Sequence, residues 1–124
     1  MSTSSQASDR FAVLDLPAHE QAARLRSGAI TARQLTEAAL ARVRAQEPAL
    51  GAYITFMDEE ALAQADEADA RLRAGNAAPL TGIPIGVKDL LSTTGVRTTA
   101  ASKMLENFRP IIDCTVVARL REAG

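Results

Sequence analysis

The residue with the clearest chemical potential is Lys88, at the end of the apolar run Ile83-Pro84-Ile85-Gly86-Val87. A lysine in that place can bury its stem and hold its amine in a pocket. Desolvation disfavours an ammonium ion and lowers its pKa, so such a lysine is usable as a base near neutral pH. Gly86 carries no side chain, so another backbone or a ligand can come close there. A second reading stays open on these residues alone: Lys88 pairs with Asp89 or another carboxylate and extends its amine into water.

Other reactive side chains offer less. His19 has no second ligand or carboxylate partner in view and reads as a surface residue. Cys114 is the single cysteine, which excludes an intrachain disulfide and a zinc cluster. Its expected place at the start of a helix would favour the thiolate, but nothing else points to reactivity. Ser92, Thr93 and Thr94 read as turn formers whose hydroxyls bond nearby backbone. Thr98 and Thr99 read the same way, with lining of a substrate cleft as the alternative. No phosphate-cradling glycine loop occurs.

The elements that must position Lys88 follow from periodicity. Apolar positions from Leu16 to Leu25, with Gly28 just beyond, predict a first helix over 16–27. Thr31 and Gln34 have capping-box spacing. Leu35, Ala38, Ala39, Leu40 and Val43 then recur on one side of a second helix, with Pro48 expected to stop it. Ala52-Tyr53-Ile54-Thr55-Phe56 predicts a strand, with Tyr53 and Phe56 in the core. Asp58, Glu59 and Glu60 open a third helix and Arg71 and Arg73 close it, matching the helix dipole at both ends. The segment Ile83 to Lys88 predicts a second strand, followed by an irregular Gly-, Ser- and Thr-rich loop. Asp113 is placed to cap a last helix, Thr115 to Ala123. The order of elements predicts an α/β fold, in which functional groups often lie just past strand ends.

Composition narrows the classes. The 124 residues are 47% hydrophobic but only 3% aromatic, and alanine supplies much of the apolar content. Such a core is thin. Fourteen basic and 15 acidic residues give a net charge of −1, which leaves no basic patch for nucleic acid. No apolar run is long enough to span a membrane, and the polar residues 1–10 lack a signal core. A flexible tail over 1–10 and a cytoplasmic location are the expectations.

The string Leu80-Thr81-Gly82-Ile83-Pro84-Ile85-Gly86-Val87-Lys88-Asp89 resembles the lysine motif of the amidase-signature family. The run from Gly95 to Phe108, with its Arg97-Thr98-Thr99 and Leu105-Glu106-Asn107-Phe108 segments, and Asp113-Cys114-Thr115-Val116-Val117 are similar to one branch of it. That branch forms the glutaminase (A) subunits of glutamyl- and aspartyl-tRNA amidotransferases. The resemblance is close over about residues 79–124. Upstream it is one of pattern only.

That resemblance implies a great deal. The fold would be the N-terminal part of the amidase-signature fold, helices plus the first strands of a mixed β-sheet, incomplete. Residues 11–124 would be a portion of a single domain, truncated before the family's Gly/Ser-rich signature. The family's chemistry is a Ser–cis-Ser–Lys triad, and only Lys88 corresponds to a triad member; Ser92 and Ser102 do not stand in Gly/Ser-rich surroundings. The lysine takes a proton, through a bridging serine, from the serine that attacks the amide of glutamine. Partners would be amidotransferase subunits B and C and, through the complex, Glu-tRNA(Gln) or Asp-tRNA(Asn). ATP and Mg²⁺ would be used by the partner subunit, with no cofactor in this chain. A 124-residue piece lacking both serines would be inactive alone. The alternatives are another amidase-signature hydrolase of small amides, or a non-catalytic interaction module. Gly86 stands where the family most often has alanine.

Overall fold

The computed structural model describes residues 12–124, so the expected tail over 1–10 lies outside the described residues. Among the described residues, a 3-10 helix at Val13–Asp15 leads into four α-helices: α1 (Ala18–Arg26), α2 (Ala32–Leu50), α3 (Asp58–Arg73) and α4 (Thr115–Ala123). A second 3-10 helix, Lys103–Leu105, interrupts the long loop before α4.

α2 begins as its sequence demands. The Thr31 hydroxyl accepts from Gln34 N, and the Gln34 side chain accepts from Thr31 N, each at 3.1 Å. The helix ends later than expected. It carries Pro48 within its last turn and stops at Gly51, whose φ of +56° closes the C-terminus. A proline removes one donor, and this late in the helix the remaining bond from Gly51 N to Glu47 O, 2.8 Å, still forms.

α2 and α3 pack side by side. Asp69, near the end of α3, binds the start of α2, while Arg44, near the end of α2, pairs with Asp58 at the start of α3. The two helices are therefore antiparallel. Their interface builds the core: Leu35, Ala32, Ala65 and Ala68, joined by Val13 and Leu25, with Leu14, Leu16, Ile30, Leu72 and Ile83 packed around them. Leu35 is the one large side chain fully buried among the described residues. Small residues let the helices approach closely but bury little area each, so this is the thin core that the composition implies.

The α/β expectation needs correction. No strand forms among the described residues. Residues 52–56 and 83–88 are irregular, with no ladder. A strand exists only through pairing with a neighbour, and no described segment pairs with either one. Pro84 removes one donor besides. Tyr53 is also not core: it is exposed, its ring tilted against that of Phe56 with centroids 5.9 Å apart. Phe56 is half-buried beneath the Arg44 guanidinium, 3.9 Å from the ring centroid, a cation–π contact.

The last helix is also held differently from expectation. Cys114, not Asp113, occupies the N-cap position, and no side chain caps the helix. The Asp113 carboxylate instead accepts from Thr94 N at 2.6 Å and pairs with Arg121 at 2.7 Å. At the far end of α4, the carbonyl of Ala123 accepts from Leu80 N at 2.8 Å. That bond ties the helix to the start of the segment carrying Lys88. No described helix is long and apolar enough to cross a membrane.

Candidate functional site

Lys88 lies at the end of the irregular segment 83–88 and is exposed. Of the two readings of its surroundings, the ion pair with Asp89 is not formed: among the described residues no ion pair joins Lys88 to a carboxylate. The pocket that would withdraw its amine from water is not formed by these residues either. A cleft of about 270 Å³ lies between Thr55-Phe56-Met57 and the 94–97 turn, with Arg97, Arg109 and Arg121 on its walls, and Lys88 does not line it.

The backbone around Lys88 is well fixed. Its carbonyl accepts from Leu91 N at 2.9 Å, so Lys88 to Leu91 forms a turn. On the upstream side, a Cβ at residue 86 would sit 3.0 Å from the Tyr53 hydroxyl oxygen. The absent side chain at Gly86 is thus replaced by a neighbouring residue's phenol.

Downstream, Asp89 is a hub. Its Oδ1 accepts from Thr99 N at 2.8 Å; its Oδ2 accepts from the Thr99 hydroxyl at 2.5 Å and from Ala101 N at 3.1 Å. Its main-chain carbonyl accepts from Ala100 N at 2.9 Å. The Thr99 hydroxyl and N–H hold the Asp89 carboxyl below its ordinary range, with Ala101 N–H and the Arg97 charge adding smaller contributions. Asp113 is held low in the same way, first by Thr94 N–H and more weakly by Arg121.

Four hydroxyls of the loop, those of Thr93, Thr98, Thr99 and Ser102, are engaged in hydrogen bonds within the loop. Thr98 and Thr99 are both buried; Thr98 Oγ1 donates to Val96 O at 3.1 Å. Thr93 Oγ1 donates to Leu91 O at 3.1 Å. Ser102 Oγ accepts from Met104 N at 3.3 Å and caps the short 3-10 helix. For Thr93 and Thr98 these are the turn-forming bonds expected from the sequence; the Thr99 hydroxyl instead reaches the Asp89 carboxylate. His19 is exposed, and among the described residues its one ionic neighbour is Glu20, at 4.0 Å. Sequence reasoning missed Asp89 as an anchor. The signal was there in the pairing of an acid with a Thr-Thr-Ala-Ala-Ser run ten residues on, but short-range spacing alone does not reveal it.

Comparison with known proteins places the chain. Residues 34–124 match the family described as Amidase. The A subunit of a glutamyl-tRNA(Gln) amidotransferase from Roseiflexus sp. (strain RS-1) is 57% identical over 100 residues, which are 81% of this chain and 20% of that protein. The Geobacter metallireducens protein of the same name is 51% identical over 112 residues, 90% of this chain and 23% of that protein. Among solved structures, a chain from a vestigial protein complex that reveals the evolutionary origins of an s-triazine catabolic enzyme superposes with a TM-score of 0.82. It is 34% identical, and the match covers 88% of this chain and 24% of that one. The chain therefore spans about a fifth to a quarter of the length of the proteins it matches. With the family matched over residues 34–124, Lys88 and its motif included, the chain belongs to the amidase family.

Proposed function

We propose that this chain is a segment of the glutamine-hydrolysing subunit of a tRNA-dependent amidotransferase, with Lys88 as the base of its Ser–cis-Ser–Lys triad. The observation that carries this reading is the 57% identity, across 100 residues that include the lysine motif, to a protein named for that subunit. In this reading Lys88 takes the proton of a nucleophilic serine through a bridging serine, both supplied by another part of the same protein. The serine attacks the side-chain amide of glutamine, and ammonia leaves an acyl-enzyme that water then hydrolyses. The ammonia passes to partner subunits, where ATP and Mg²⁺ activate Glu-tRNA(Gln) or Asp-tRNA(Asn) for amidation. The site belongs to a cytoplasmic complex.

The exposure of Lys88 supports this division of labour, because the walls of its pocket would come from the rest of the domain. The test is a chimera in which this chain replaces the corresponding residues of the Geobacter metallireducens protein. Ammonia release from glutamine should survive the exchange and vanish with Lys88→Ala. The 124-residue chain alone should release none. Turnover by the isolated chain that disappears with Lys88→Ala would overturn the claim that the serines lie elsewhere. A chimera active only on small amides would favour a partner-free amidase.

A further inference from the structure

We infer that Asp89 is a positioning residue for Lys88, acting through the Thr99–Ala101 turn. The inference rests on the reading of Lys88 as the base. Three consecutive backbone N–H groups, of Thr99, Ala100 and Ala101, converge on Asp89, two on its carboxylate and one on its carbonyl. Convergence of successive N–H groups makes a concavity suited to an anion. The anion is built into the chain, one residue after the lysine.

The turn has a conformation that its residues do not favour. Ala100 and Ala101 have φ of +49° and +56°, the left-handed region in which a Cβ is strained. Two adjacent non-glycine residues hold it only where the surroundings over-determine it. Asp89 supplies that determination: its carboxylate oxygens accept three bonds, and the Thr99 hydroxyl that reaches one of them also accepts from Ala101 N at 3.1 Å.

The consequence falls on Lys88. Its amine has no ion-pair partner among the described residues to aim it, so what these residues fix is the backbone from which its side chain starts. That backbone lies between the close approach of Tyr53 at Gly86 and the hub at Asp89. A proton relay through a bridging hydroxyl requires hydrogen-bond reach at both steps. Releasing Asp89 from the turn frees the lysine's Cα and lengthens the relay, while glutamine binding, made by other groups, stays as it was.

The experiment uses the same chimera with Asp89→Asn, Thr99→Val and Thr99→Ser, reading kcat, KM and the acidic limb of the kcat–pH profile. Asp89→Asn and Thr99→Val should lower kcat toward the roughly 10²-fold loss typical of a small misplacement, leave KM unchanged and shift the acidic limb. Thr99→Ser keeps the hydroxyl and should restore both. Thr99→Val deletes one hydroxyl only and carries the test if Asp89→Asn does not fold. An acidic limb that stays in place in these variants, whatever happens to kcat, overturns the positioning role. Lys88→Ala run alongside separates the two ideas: if it still turns over, the base reading has failed and the inference falls with it.

Discussion

Asp69 accepts a hydrogen bond from Ala32 N at 2.7 Å and another from Arg33 N at 3.1 Å, so a residue of α3 caps the first turn of α2. The contact spans 37 positions of sequence and buries a carboxylate beside the positive end of a helix. Hydrogen bonds to a charged group contribute more than neutral ones, and the helix dipole adds to them. Asp69→Ala should therefore lower stability by about 2–3 kcal/mol, read as a shift of the urea midpoint. Asp69→Asn keeps an acceptor but loses the charge, and should fall between the two. A loss below about 0.5 kcal/mol, the scale of an ordinary surface change, would show that the Thr31–Gln34 capping box suffices alone.

Gly82 sets a second test. Its φ is +87°, and a Cβ there would lie 2.8 Å from Ala32 Cβ and 3.4 Å from Leu25 Cδ1. Gly82→Ala thus combines backbone strain with overpacking against the core. The left-handed conformation alone costs about 1–2 kcal/mol and forced packing about 1–3 kcal/mol. The substitution should unfold the chain at markedly lower urea, whereas Gly28→Ala, with open space around it, should show the backbone cost only.

These two cases show what local patterns can and cannot convey. Helix periods, the Thr31 box and the acidic-to-basic order of α3 depend on neighbours within a few positions, and the helices they predict are present. The strands expected at 52–56 and 83–88 follow from residue type. Their pairing depends on partners that the described residues do not contain, so the strands are absent. Asp69 and Asp89 act across 37 and 10 positions, and no short window exposes such a bond. Lys88 is legible through its motif, yet its exposure is not: burial of one residue depends on what the rest of a fold lays over it.

Acid should loosen the loop after Lys88. Asp89 and Asp113 both have carboxyls held below their ordinary value of 3.8 by bonds present only in the folded chain. A depressed folded value means stabilisation that is complete above the unfolded value and lost as pH falls through the folded one. Loosening should begin as pH approaches 3.8 and finish below it. Amide exchange checks this: Thr99, Ala101 and Thr94 should lose protection together in that window. Asp89→Asn should abolish the pH response at Thr99 and Ala101 while leaving Thr94, which depends on Asp113, unaltered. Arg97 and Arg121 are the cations facing the two acids, so added salt should weaken the effect only in part.

The apolar surface left uncovered predicts self-association. Ile111 is 90% exposed, Ile112 70% and Met104 94%, with Val116 and Phe108 also exposed nearby in sequence. Scattered exposed apolar side chains are ordinary, but adjacent isoleucines at this exposure offer a surface for a neighbour. The segment 83–88, outside any ladder, adds backbone groups between its hydrogen-bonded ends that another chain can pair with. Sedimentation velocity should show mass rising with concentration. Ile111→Ser with Ile112→Ser should reduce that rise at little cost in stability, within about 0.5 kcal/mol, since neither side chain is buried. If the double substitution leaves association unchanged, contact runs through the segment 83–88 instead. A charge on its exposed side chains, Ile85→Lys or Val87→Lys, should then suppress it by making strand addition unfavourable.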